Sequence, residues 1–140
     1  GQPVPRVRFR NNIFVSAGDI IRGDPAAIAP ARFEGNCYWS LDSAGFAPGH
    51  RTFDAWVAAT GQEKIADAIV GIYANPLFAL PGTVESLKPD QLPRLSAYRL
   101  RQGSPCFAAG LPVQDNGGRD FWGNNLPKGK KPAIGACQKP

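Results

Sequence analysis

The chain has one histidine, no methionine and three cysteines among its 140 residues. One histidine, and no C-x-x-C spacing among Cys37, Cys106 and Cys137, argue against a structural zinc site of the usual type. An odd thiol count leaves at least one cysteine unpaired within the chain. Cys37 lies in the apolar run Cys37-Tyr38-Trp39 and reads as a buried free thiol. A Cys106–Cys137 bridge would point to an oxidising compartment. No apolar run approaches the roughly 18 residues that span a bilayer, so no membrane partner is expected. No charged-then-apolar signal pattern opens the chain. Gly1 stands first rather than Met, which reads as a processed or excised piece. No cofactor is expected.

Glycine (16) and proline (14) together make up about a fifth of the chain, which argues against a helix bundle. Hydrophobic residues, at 43%, are enough for a core, so wholesale disorder is excluded. The length suits one domain. The net charge of +5 sits at the two ends. Arg6, Arg8 and Arg10 lie at one end, and Lys128, Lys130, Lys131 and Lys139 at the other, with no acid in either stretch. Basic ends attract polyanions or solubilise a terminus.

A repeat organises the first third. Residues 7–16 align with 31–40 at an offset of 24, as Arg8/Arg32, Phe9/Phe33, Asn12/Asn36 and Ser16/Ser40. A fixed period in this range marks a solenoid. Arg6 to Arg10 alternates polar and apolar like a half-buried strand, Asn11-Asn12 makes a corner, and Ile13-Phe14-Val15 starts a second strand. Stacked copies set Phe9 beside Phe33 and Asn12 beside Asn36 on parallel strands, with Arg10 against Glu34 as a cross-strand ion pair. Thr52 to Gly61 then reads as a helix, with Thr52 as N-cap, Gly61 as terminator, and Phe53, Trp56, Val57 and Thr60 on one face. Asn75 falls 39 residues after Asn36, so a 15-residue excursion holding the helix would restore the period. Residues 81–97 read as a surface loop, Tyr98-Arg99-Leu100 as a strand, and Gly103–Gly110 as a turn into another.

The run Tyr98 to Cys106, then Ala109-Gly110, Asp120-Phe121-Trp122-Gly123-Asn124 and Ile134-Gly135-Ala136, resembles the C-terminal end of right-handed parallel β-helix carbohydrate-active proteins. Asn36-Cys37-Tyr38-Trp39, Ala58-Ala59-Thr60-Gly61-Gln62 and Ala74-Asn75-Pro76-Leu77-Phe78 resemble segments of their penultimate coils. The resemblance implies an all-β, right-handed parallel β-helix with one helical excursion at about 52–61. It forms a single unit over 1–140. Two 24-residue coils occupy 6–40, a loop and helix 41–70, further coil strands 71–110, and a closing segment with a basic tail 111–140. It implies a C-terminal segment of a secreted or periplasmic protein of glycoside hydrolase or polysaccharide lyase type, a structural cap with sugar contacts. Missing N-terminal coils or another copy of the chain would be its partners. The alternative is a free-standing non-catalytic module that binds an anionic polysaccharide or other polyanion, with nucleic acid a lesser prospect.

No complete catalytic set is visible, so enzymatic activity is left open. Glycoside hydrolysis needs two carboxylates about 5–10 Å apart, and general-base chemistry needs a partnered histidine. The candidates are Glu34, Asp42 and His50. Tyr38, Trp39 and Trp122 are candidate sugar-stacking residues. Arg6, Arg8 and Arg10, alternating along a strand, form one outward row suited to uronates or phosphates.

Overall fold

The computed structural model describes residues 7–42, 44–80, 91 and 95–140. Arg6 and most of the 81–97 loop lie outside the described residues.

The repeat is realised as parallel pairing. Strand β1 (Arg8–Arg10) pairs with β3 (Arg32–Glu34) in the register Arg8–Arg32, Phe9–Phe33, Arg10–Glu34. Strand β2 (Ile13–Ser16) pairs with β4 (Cys37–Ser40), from Ile13–Cys37 to Ser16–Ser40. Inward positions stack their rings. Phe9 lies 4.8 Å from Phe33 and Phe14 5.3 Å from Tyr38, each nearly coplanar at 15°.

Two helices leave this stack. The short α1 (Pro25–Ile28) is capped by Asp24, whose side chain accepts from Ala26 N. The longer α2 (Phe53–Thr60) forms where the sequence places it. Thr52 Oγ1 accepts from Ala55 N at 3.2 Å, and Gly61 terminates the helix in the left-handed region at φ 67°, where a Cβ would be strained. Phe53, Trp56 and Val57 are buried, and with Phe33, Tyr38 and Phe46 they make the main core. A hairpin of β5 (Lys64–Ile65) and β6 (Ala68–Ile69) follows, and then β7 (Ile72–Tyr73), parallel to β4.

The expectation of an all-β right-handed parallel β-helix does not hold. The described strands are two to four residues long and fall into three separate sheets, β1–β3, β2–β4–β7 and the antiparallel β5–β6, beside two α-helices. No strand follows Tyr73 among the described residues. Residues 96–98 form a 3-10 turn rather than a strand, Leu100 makes a single antiparallel bridge to Phe78, and 103–110 stays in turns. The physical cause is local. Pro76, Pro105, Pro112, Pro127 and Pro132 lack amide donors, and Gly103, Gly117, Gly118, Gly123 and Gly135 adopt positive φ, so ladders cannot propagate there.

The phase of the third rung also differs. Cys37 pairs with Ile72, an offset of 35 rather than 39, so Gly71 and not Asn75 follows Asn36 in the stack. Asn75 instead caps a turn by accepting from Leu77 N at 2.9 Å.

Candidate functional site: an arginine cluster on the first sheet

The outward side chains of β1 and β3 converge on one carboxylate. Arg10 Nη2 makes a short ion pair to Glu34 Oε2, and Arg10 Nε donates to the same oxygen at 3.2 Å. Arg32 Nε donates to Oε1 at 3.4 Å, and Arg8 Nε lies 3.7 Å from Oε2. Burial alone would raise the Glu34 pKa. The Arg10 hydrogen bond and the charges of Arg10 and Arg8 outweigh it and hold the carboxyl below its ordinary range. Three cations therefore share one carboxylate. The surplus positive charge is presented outward, since the Arg8 and Arg32 side chains are 60% and 42% exposed while that of Glu34 is 10% exposed.

The geometry is fixed from behind. Arg32 also donates to Gly61 O and Lys64 O, which ties the cluster to the end of α2 and the start of β5. Gln62 acts as a side-chain strand along β3: its Oε1 accepts from Phe33 N at 2.9 Å and its Nε2 donates to Ala31 O at 2.8 Å. Below the corner runs a buried polar ladder. Asn36 Oδ1 accepts from Asn12 N at 2.9 Å, and Asn36 Nδ2 donates to Phe9 O at 3.0 Å and to Glu63 Oε1 at 2.6 Å. Tyr38 Oη donates to the same Glu63 oxygen at 2.6 Å. Glu63 fills the place that Gly71 leaves open, where a Cβ would come within 2.5 Å of its carboxylate. Burial pushes the Glu63 carboxyl above its ordinary value against the opposing hydrogen bonds of Tyr38 and Asn36, and burial followed by the Glu63 charge pushes the Tyr38 phenol up.

The catalytic candidates are not brought together. Glu34 is neutralised by arginines. Asp42 is exposed and caps a turn, with Oδ1 accepting from Ser40 Oγ and Ala44 N at 3.1 Å each. His50 closes a turn through backbone bonds with Ala47 and borders a cavity of about 350 Å³ whose lining includes Ile21, Ile28, Trp56 and Gln62 and no carboxylate. No hydrogen bond or ion pair joins any two of the three among the described residues. No group of three metal-ligating side chains converges among the described residues either.

The aromatic candidates separate. Tyr38 is fully buried in the core and cannot meet a sugar. Trp39 is half-buried, 5.8 Å from the exposed Tyr73. Trp122 is half-buried under the Arg99 guanidinium, 5.1 Å from its ring centre, in a groove with Phe78, Tyr98 and Phe121. Arg8 and Arg10 stand in the outward row that the alternation implies. Arg32 and Glu63 were missed. The repeat pairs Arg8 with Arg32 and thus held the signal for the first; Glu63 follows the helix without any pattern that marks it.

All three cysteines are free and buried. They share the second core with Leu100 and Ile134. A hydrogen bond with Cys106, together with burial, pushes the Cys37 thiol up and keeps it neutral. No helix is long and apolar enough to cross a membrane among the described residues. No protein-family model matches the chain, and no curated protein does either.

Proposed function

We propose that the protein is a non-catalytic module that binds an anionic polysaccharide through Arg8, Arg10 and Arg32. The observation that carries this reading is the surplus of charge on a preorganised face, three guanidinium groups held by one carboxylate. Guanidinium forks suit carboxylate or sulfate oxygens of such a polymer. Glu34 holds the arginines in place, which lowers the ordering cost of binding. The secreted or periplasmic carbohydrate-active setting implied by the motifs is part of the proposal, since such ligands occur there.

Calorimetric titration of the full chain with polygalacturonate and with a neutral glucan of matched length tests it. Binding to the acidic polymer alone, weakening steeply with salt, is the expected result. Equal affinity for the neutral polymer would sink the charge-based reading. Chain shortening of either polymer, abolished by a change at Glu34, Asp42 or His50, would sink the non-catalytic one.

A further inference from the structure

β3 covers one edge of β1, and β4 one edge of β2. The opposite edges meet no strand among the described residues. The carbonyls of Val7, Asn12 and Ser16 accept from the amides of Arg32, Cys37 and Leu41. By strand alternation the amides of Arg8, Ile13 and Val15 point the other way, to the uncovered side. The ring stacks end on this side as well. Phe9 and Phe14 are half-buried and Val7 is 51% exposed. Beside them lies a groove of about 410 Å³ lined by Val7, Phe9, Phe14, Ile20 and Ile28.

We propose that this edge binds an extended segment of a partner polypeptide as an added parallel strand, with an aromatic residue in register with Phe9 and an acidic one in register with Arg10. The chain shows what completes such an edge. On the covered side Phe33 stacks on Phe9, and Glu34 meets both Arg10 and Arg8. The uncovered side offers the same arginines and the same ring plane, and strand addition supplies main-chain bonds while alternate side chains supply specificity. A second copy of this edge would set Arg8 and Arg10 against their own kind, which disfavours self-pairing. The proposal stands on the strand edge and groove and does not rest on the polysaccharide reading.

The test uses the full chain and a dye-labelled, end-capped peptide of residues 31–40 carrying Cys37→Ser, which presents the Phe33-Glu34 order. Fluorescence anisotropy should show saturable binding, and hydrogen exchange should slow at Arg8, Ile13 and Val15. The same peptide with Glu34→Lys should bind about tenfold more weakly. Val15→Pro in the protein, which removes an amide the fold does not use, should weaken binding by a similar factor of about ten. No saturation up to about 1 mM peptide, or indifference to the peptide charge swap, would overturn the proposal. So would protection of the same amides by concentration-dependent dimerisation, which would make a second copy the occupant. Peptide binding without polygalacturonate binding would leave this inference standing and remove the other.

Discussion

Residues 7–73 and residues 95–140 are held together in different ways. The first region repeats one contact. Each residue of β1 and β2 meets its counterpart 24 positions on, ring over ring and amide over amide. The second region is pinned at single points. Asp120 accepts from Trp122 N, Asn124 N, Asn124 Nδ2 and Gln138 N, and Gln138 in turn bonds Ala133 through both side-chain atoms. A rung couples neighbours in series, so its loss spreads. A pin closes one loop, so its loss stays local.

The strongest way to break this contrast is to remove the polar ladder. Asn36→Leu keeps the branched heavy-atom skeleton but strips an acceptor from Asn12 N and a donor from Phe9 O, and it leaves the buried Glu63 carboxyl with Tyr38 as its remaining side-chain donor. Each buried group that loses its hydrogen-bond partner costs about 1–3 kcal/mol, and three do so here. Urea unfolding should show that loss, and hydrogen exchange should quicken across both parallel sheets.

Asp120→Ala is the matching test for the pinned region. Two backbone amides would lose their partner within the Asp120-to-Asn124 turn and one at Gln138, for about 1–3 kcal/mol. Faster exchange should stay within 118–138. Equal acceleration in β2 and β4 would show that the two regions unfold as one and that no contrast in cooperativity separates them.

Carboxylates divide along a similar line, between one whose pKa burial raises and two whose partners lower it. Glu63 has a raised folded value, so its contribution is fully present below its ordinary 4.5 and is lost as pH rises through the folded value. Glu34 and Asp120 have lowered values, so theirs is present above the ordinary 4.5 and 3.8 and is lost as pH falls through the folded values. The expected outcome is that Glu63→Gln gains Tm relative to the native chain as pH rises from about 5 to about 8. A constant difference across that range would mean that Glu63 is ionised without penalty.

The first region was the more legible because register is written in the sequence. Phe9/Phe33 and Asn12/Asn36 repeat at one offset, and the structure pairs them at that offset. The third rung was mis-phased because an asparagine that caps a turn and one that joins a ladder look alike. Asn75 turns the chain at Leu77, whereas the ladder is continued by Glu63, from the excursion itself. The helix was legible because its caps and its apolar face agree. The strands expected after 97 were not, since turn chemistry at Pro105, Gly103 and Gly110 overrides short apolar runs. The arginine row was visible in β1 by alternation, but its closure around Glu34 needed Arg32 from the neighbouring strand.

The smallest effect on stability is expected where the proposed function is most exposed. The Arg8 side chain is 60% exposed and reaches Glu34 only at 3.7 Å, so Arg8→Ala should shift stability by less than about 0.5 kcal/mol. Arg10 is unsuitable for this test, because its two bonds to Glu34 help hold β1 on β3. A polyanion that touches Arg8 releases a counterion there, so the slope of log affinity against log salt should fall by about one for Arg8→Ala. Melting and salt titration of the same variant therefore separate structural rungs from binding surface. An unchanged Tm with a reduced slope places Arg8 in the ligand interface. An unchanged slope would show that the polymer contacts some other part of the chain, and the arginine cluster would then serve only to seal β1 against β3.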